Sequence, residues 1–256
     1  MKTLEVQLRQ LRDSGRKALV PYFVAGVTPD WVRHVEAAVQ GGADAVEIGI
    51  PFSDPMLDGV VIQEAALRAL EAGTTIDSLC ADLAGLSADI PLVAMTYFNM
   101  FHHYGLLRAA GKLRSSGISG AIVPDLSLEE SDDWKAACDE SDVATIFLVA
   151  PSTSSERVVR VAKASEGFVY ASARMAVTGQ AADIGQAQRV VESLRGVCDT
   201  PTYVGIGIST PQLAREAADV SDGVIVGSAL VRLILDGADA SDVESFIASF
   251  RQALDA

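Results

Sequence analysis

Eight short apolar segments recur along this chain of 256 residues, and a helical pattern follows each of them. Within a segment the apolar residues stand on consecutive positions rather than on alternate ones, which is typical of parallel strands covered by helices. Several of the helical patterns begin at Ser, Thr or Asp and end at Gly, as capped helices do. The predicted strands cover residues 18–26, 44–51, 91–99, 120–125, 143–151, 167–173, 200–209 and 222–230.

Eight strands that alternate with helices predict a (β/α)8 TIM barrel, a fold that typically has about 250 residues. An open doubly wound sheet would produce the same alternation. The count of eight, the length and the lack of a G-x-G-x-x-G motif after the first strand favour the barrel. We therefore expect a single α/β domain over residues 1–256, with additional helices at 3–14, 76–86 and 241–255.

The charge of the chain limits the partners that it can bind. A formal charge of -14 and a pI near 4.5 oppose general nucleic-acid binding, which requires a basic surface.

The three cysteines are widely spaced without a C-x-x-C pair, and the three histidines lack metal-ligand spacing, so neither a disulfide framework nor a metal site is predicted. Because the sequence contains neither a signal-peptide core nor a run of about 18 apolar residues, we expect a soluble, cytoplasmic protein without membrane association.

Glu47 is an unusual residue for the second predicted strand. In the segment AVEIGI, residues 45, 47 and 49 share one face, and the aliphatic residues 46, 48 and 50 share the other. The aliphatic face suits the helix layer, so Glu47 should point into the barrel, with no basic residue nearby in the sequence between Arg33 and Arg68. A raised pKa and a role in proton transfer would explain a buried carboxyl group, and a structural hydrogen bond across the barrel is the alternative.

Two further carboxylates, Asp54 and Asp58, follow Glu47 in the loop after the strand. Asp58 stands just before a predicted helix, where Asp is a preferred capping residue. Asp54 precedes a proline, as in a turn. In a barrel the functional groups lie at this end of the strands, so acid–base chemistry and simple capping are both open for Asp58.

The ends of the seventh and eighth strands indicate a phosphate site. The segments GIGIST at 205–210 and GVIVGSAL at 223–230 each run from strand to Gly and then to Ser before a helix. Glycine allows close approach of an anion, and a helix N-terminus offers N–H groups with a favourable dipole. The segment ARMAVTGQAADIGQAQ after the sixth strand contains Gly179 and is long enough to form a lid.

These motifs resemble the tryptophan synthase alpha subunit family, from about Leu19 to Leu230. The most specific piece is E-I-G-I-P-F-S-D-P-x-x-D-G-x-x-I-Q at 47–63. Supporting pieces are TYFN at 96–99, VPDL at 123–126, VAPS at 149–152, VTG at 177–179, GIGIS at 205–209 and GSAL at 227–230.

The resemblance implies a carbon–carbon lyase that cleaves indole-3-glycerol phosphate to indole and glyceraldehyde 3-phosphate without metal or cofactor. It implies that Glu47 is the general acid–base residue and that Asp58 accepts the indole N–H and stabilises the cationic intermediate. It also implies a partner, the beta subunit of an alpha2beta2 complex, contacted by loops near Asp54, Pro55 and Asn99. The residues that it assigns to the substrate are Tyr22 and Tyr170 around the indole, Thr178 on the lid, and Gly179, Gly207, Gly227 and Ser228 at the phosphate.

The chain departs from the family pattern close to these residues. It has apolar Leu57 and Val60 where Ala and Pro are common, and further departures at Val27, Ala176 and Ile206. A specialised paralogue that releases free indole would carry such changes, as would a non-catalytic partner that activates a beta subunit. A third hypothesis keeps the phosphate site but changes the substrate to a phosphosugar; the lack of a lysine at the predicted mouth argues against Schiff-base chemistry.

Overall fold

The computed structural model describes residues 1–86, 89–172, 184–205 and 207–256. In these ranges parallel strands alternate with helices that cover their outer side. The strands are β1 (Ala18–Val24), β2 (Val46–Gly49), β3 (Leu92–Met95), β4 (Ile118–Ile122), β5 (Ala144–Ile146), β6 (Leu148–Val149), β7 (Val169–Ser172), β8 (Thr202–Gly205) and β9 (Gly223–Val226).

The helices fall after the strands as the sequence predicts, with additional helices at both ends of the chain. No helix in the described ranges is both long enough and apolar enough to cross a membrane. A short 3-10 turn lies at Leu128–Glu130. The helices are α1 (Thr3–Asp13), α2 (Trp31–Gln40), α3 (Val60–Glu71), α4 (Ile76–Leu83), α5 (Phe98–Tyr104), α6 (Leu106–Ser115), α7 (Asp132–Ser141), α8 (Ser155–Ala164), α9 (Ile184–Leu194), α10 (Pro211–Val220), α11 (Ser228–Leu235) and α12 (Ala240–Asp255).

The order of the strands confirms the barrel and excludes the open sheet. The sheet runs β5-β4-β3-β2-β1-β9-β8-β7-β6, so the first strand pairs with the last, with Ala18 opposite Gly223. Its two ends, β5 and β6, are halves of the single predicted strand 143–151. Phe147 separates them because its N–H bonds to the Ser165 hydroxyl at 2.8 Å instead of continuing the β4 ladder.

The third predicted strand, 91–99, is too long. It ends at Met95, and helix α5, which the sequence analysis did not predict, begins at Phe98. Asp125 Oδ1 accepts a hydrogen bond from the backbone N–H of Phe98 at 2.8 Å, so a side chain from the next strand's loop satisfies the first turn of α5. This partner lies 27 residues along the chain, where a local pattern does not reveal it.

The side chains of β2 alternate, as predicted, between two apolar cores. Val46, Ile48 and Ile50 belong to the large core between strands and helices, whereas Ala45 belongs to a smaller core inside the barrel. Glu47 therefore shares the inner face of β2 with Ala45, and the residue is 1% exposed. The strand places a carboxyl group inside the barrel.

Helix α1 closes the end of the barrel opposite the loops that follow the strands. Leu4 and Leu8 are fully buried in the inner core. The Leu4 Cδ2 atom lies 2.5 Å from where a Cβ on Gly120 would stand and 2.8 Å from where one on Gly167 would stand. The two glycines thus make the space that Leu4 fills.

Leu4→Ala is expected to lower the free energy of unfolding by about 2–5 kcal/mol, because it leaves a cavity at the closed end of the barrel. Val6→Ala is the matched control, since Val6 lies on the same helix and is 40% exposed. Its effect should stay within about 0.5 kcal/mol. Urea unfolding followed by circular dichroism measures both, and equal effects of the two substitutions would contradict the packing role of Leu4.

Candidate active site

Strand β2 holds Glu47 between two neighbouring strands. Glu47 stands opposite Tyr22 of β1 and opposite Val93 of β3 in the ladder. Its Oε2 atom is buried and makes no hydrogen bond with any residue of the described ranges. The sheet thus fixes the position of the carboxyl group, but no hydrogen-bond donor of the described residues stabilises a negative charge on this oxygen.

The surroundings of Glu47 favour its neutral form. Burial raises the pKa of Glu47, and the negative charge of Asp58 raises it further, to about 8. A carboxyl group with this pKa is present both as acid and as base near neutral pH. It can therefore donate a proton in one step and accept one in another.

Asp58 lies at the end of a tight loop that precedes α3. The loop is held by backbone hydrogen bonds from Met56 N to Asp54 O at 2.9 Å and from Asp58 N to Pro55 O at 3.1 Å. Gly59, not Asp58, occupies the N-cap position of α3, and a glycine has no side chain that could cap the helix. The Asp58 side chain instead accepts a hydrogen bond from the Tyr97 hydroxyl at 3.0 Å, so the capping interpretation of Asp58 is wrong.

The pKa of Asp58 reflects two opposed effects. Burial raises it above its ordinary value, and the hydrogen bond from Tyr97 offsets only part of that rise. The second effect favours the carboxylate, because a donated hydrogen bond stabilises the charged form. The site therefore pairs a carboxyl group whose ionisation is suppressed with one whose anion has a hydrogen-bond donor.

Tyr22 and Tyr170 lie close enough to both carboxyl groups to be affected by their charge. Burial raises the pKa of each tyrosine, and Asp58 and Glu47 raise it further. The Tyr22 hydroxyl lies 2.1 Å from where a Cβ on Gly49 would stand, and the Tyr170 hydroxyl lies 2.0 Å from where one on Gly205 would stand. Each phenol thus lies against a strand glycine, where a larger residue would displace it.

A small cavity, partly open to solvent, lies beside Asp58. Tyr97 forms part of its wall and stacks on Phe52 with ring centroids 5.2 Å apart. Tyr97 lies in the TYFN motif, which by itself does not assign this residue to the site, although its place after the third strand is a usable signal. The lining residues are Tyr22, Val24, Ile50, Pro51, Phe52, Pro55, Asp58, Ile62, Ala66, Met95, Thr96, Tyr97 and Pro124.

The predicted phosphate-binding residues lie after two adjacent strands. Gly207 follows β8 with a positive φ of 88°, and Gly227 follows β9 at the N-cap of α11, whose first residue is Ser228. A Cβ on Gly227 would stand 3.8 Å from the Tyr22 Cβ, so this helix end faces the same mouth as Tyr22. The first turn of a helix leaves N–H groups without acceptors in the helix, which suits an anion.

Part of the predicted site lies outside the described residues. Thr178, Gly179 and residues 173–183 of the predicted lid segment belong to this part, as do the departures Ala176 and Ile206. Among the other departures, Val27 is buried, whereas Leu57 and Val60 are 45% and 75% exposed. The described part brings Glu47, Asp58, Tyr22 and Tyr170 together and sets Gly207, Gly227 and Ser228 on the same end of the barrel.

The sequence and the fold of this chain are both similar to those of known proteins of one family. The sequence profile of the family described as tryptophan synthase alpha chain matches residues 8–254. The alpha chain of Thermobifida fusca is 43% identical over 247 residues, 93% of this chain and 91% of the relative, and that of Laribacter hongkongensis is 40% identical over the whole of both. A structure of Mycobacterium tuberculosis tryptophan synthase superposes with a TM-score of 0.91 at 35% identity, covering 99% of this chain and 98% of that chain.

The ionisation of Glu47 is expected to depend on Asp58. The wild-type Glu47 carboxyl group should titrate with a midpoint of about 8. Asp58→Asn removes the negative charge that opposes ionisation, so the midpoint moves to lower pH. Asp54→Asn neutralises another carboxylate of the same loop and should leave the midpoint in place.

The measurement is a carboxyl ¹³C NMR titration, with the Glu47 signal assigned by its loss in Glu47→Gln. A wild-type midpoint at the ordinary glutamate value of about 4.3 would contradict the desolvated environment. Equal shifts in the two aspartate variants would contradict a specific effect of Asp58.

Proposed function

Because this chain belongs to the tryptophan synthase alpha chain family, we propose that Glu47 and Asp58 carry out the cleavage that defines the family. The enzyme is a carbon–carbon lyase that converts indole-3-glycerol phosphate to indole and glyceraldehyde 3-phosphate in tryptophan biosynthesis. The observation that supports the assignment is the buried Glu47 carboxyl group, whose pKa of about 8 lets it exchange a proton near neutral pH.

The proposed reaction begins with protonation of the indole ring. Neutral Glu47 donates its proton to the ring carbon that bears the glycerol phosphate chain, which makes the indole a cation. Asp58 accepts a hydrogen bond from the ring N–H and stabilises that positive charge as an anion. A carboxylate is suited to this step because it interacts more strongly with the cation than with the neutral ground state.

Cleavage of the carbon–carbon bond follows from the cation. The Glu47 carboxylate accepts the proton of the neighbouring side-chain hydroxyl, whose oxygen becomes the carbonyl of glyceraldehyde 3-phosphate. The electron pair of the breaking bond returns to the ring and restores neutral indole. The proton that Glu47 gave to the ring stays on indole, and the hydroxyl proton returns Glu47 to its starting form.

The remaining residues bind the two ends of the substrate. Tyr22 and Tyr170 enclose the indole beside the carboxyl groups. Gly207, Gly227 and Ser228 hold the phosphate at the N-terminus of α11, where backbone N–H groups and the helix dipole favour an anion. Thr178 and Gly179, which lie outside the described residues, stay predictions from the family resemblance.

Glu47→Gln is expected to lower turnover by roughly 10² to 10⁴-fold, because an amide cannot donate and accept the proton. Asp58→Asn should cause a large fall in kcat with a smaller change in substrate affinity, since the amide still accepts the indole N–H but lacks the charge. Indole release from indole-3-glycerol phosphate measures both.

Glu71→Gln is the control, since Glu71 is exposed at the end of α3, and it should retain wild-type turnover. Unchanged turnover in Glu47→Gln would remove Glu47 from the mechanism. Indole release by the wild-type protein alone would exclude the hypothesis of a purely non-catalytic partner. No release, alone or with a beta subunit, would contradict the proposed chemistry.

The family implies a beta subunit as partner. We propose that the two chains form an alpha2beta2 complex through the loops near Asp54, Pro55 and Asn99. Two features of the rim around the site support this surface. Met56 is an apolar residue that is 71% exposed, and a cleft nearby is lined by Phe98, Asn99, His102, Asp125, Leu126 and Glu130.

Met56→Asp is expected to weaken binding of the beta subunit from the same organism by about tenfold or more, because it places a charge in a contact that excludes water. Val6→Asp is the control, since Val6 is exposed on α1 at the opposite end of the barrel. Size-exclusion chromatography of the mixed chains measures complex formation. Two separate wild-type peaks would favour a stand-alone indole producer, and equal weakening by both variants would contradict the proposed surface.

A further inference from the structure

Tyr97 connects two parts of the loop that carries Asp58. It lies between the end of β3 and the start of α5 and is 4% exposed. Its hydroxyl accepts a hydrogen bond from Leu57 N at 2.9 Å and donates one to Asp58 Oδ2 at 3.0 Å. Its ring stacks on Phe52, near the start of the same loop, with the two planes 29° apart. One side chain therefore contacts the loop at three points.

The hydrogen bond from Leu57 fixes the direction in which the Tyr97 hydroxyl donates. A phenol hydroxyl has a single proton, and the Leu57 N–H already occupies one of its acceptor positions. The proton is then directed to Asp58 Oδ2. Because Leu57 and Asp58 are adjacent, the hydroxyl restrains both the backbone of the loop and the carboxylate that the loop carries.

The charge of Asp58 also depends on this contact. The titratable groups that act on Asp58 or on one another around it, in the described ranges, are Glu47, Tyr22, Tyr97 and Tyr170, together with Asp125, which acts on Tyr97. Burial raises the pKa of Asp58, and the Tyr97 hydrogen bond opposes that rise. Burial and Asp58 raise the pKa of Tyr97 itself, so its hydroxyl keeps the proton that it donates.

From these contacts we propose that Tyr97 is a positioning residue for the cleavage reaction, one that holds the Asp58 carboxylate in the orientation that accepts the indole N–H. The inference rests on the role proposed for Asp58. Tyr97 acts through that carboxylate and through the loop backbone, not by touching the bond that breaks. The effect of its hydroxyl should therefore be seen in kcat and in the pH dependence of kcat.

Tyr97→Phe is expected to lower kcat by about 10 to 100-fold, the usual range for loss of one hydrogen bond to a charged group, with KM changed less than about threefold. The acidic limb of the pH profile of kcat should move to higher pH, because the hydrogen bond no longer opposes the rise in the Asp58 pKa that burial causes. Phe keeps the ring that stacks on Phe52. Indole release across the pH range measures these effects.

Tyr104→Phe is the matched control. The Tyr104 hydroxyl donates to Asp77 at 2.6 Å in an exposed pair on the outer surface, so the same atom is removed from another tyrosine–aspartate contact. This variant should keep the wild-type kcat and pH profile. An equal change in both tyrosine variants would overturn a specific role for Tyr97.

The double variant Tyr97→Phe with Asp58→Asn tests the route of the effect. If Tyr97 acts through Asp58, adding Tyr97→Phe to Asp58→Asn lowers kcat by less than about twofold. A full second loss would overturn the inference, as would a change in KM alone or a wild-type pH profile in Tyr97→Phe. If the wild-type protein itself releases no indole, the proposed function fails; if it does and Tyr97→Phe matches it, only the positioning role fails.

Discussion

The cost of taking the Glu47 carboxyl group out of water is the constraint on which the site depends. The charge that acts on Glu47 is that of Asp58, which is also negative, so the anion gains no compensation and the pKa rises to about 8. A nearby cation would stabilise the carboxylate and make it a poor proton donor. The apolar inner core around β2 therefore supplies the acid–base property that a glutamate in water lacks.

Glu47 and Asp58 are held in position by different parts of the structure, which explains why the site also needs Tyr97. Glu47 lies on a strand paired on both sides, so the sheet sets its position. Asp58 lies on a loop, where a side chain from the next strand must restrain it. Gly49 at the end of β2 pairs with Met95 at the end of β3, and this register brings Tyr97, two residues further on, beside the loop.

The sequence predicts the features that repeat or that depend on neighbours along the chain. The alternation of apolar segments and helices predicts the barrel, and the faces of β2 predict the inward position of Glu47. Features that depend on distant partners are missed: the break at Phe147, the start of α5 at Phe98, and the contact that turns Asp58 away from helix capping. Each is fixed by one hydrogen bond to a side chain 18 to 39 residues away, which a local pattern does not contain.

The division of the barrel at Phe147 separates the two parts of the site in the order in which the chain is synthesised. Strands β2 to β5 form one ladder of sequence neighbours, β6 to β9 form another, and β1 joins them by pairing with both β2 and β9. The first ladder carries both carboxyl groups, and the second carries the glycines assigned to the phosphate. During synthesis β9 leaves the ribosome last, so the residues that carry both carboxyl groups are made before the glycines assigned to the phosphate. Until β9 pairs with β1, the nascent chain contains Glu47 and Asp58 but lacks the N-terminus of α11 that is assigned to the phosphate.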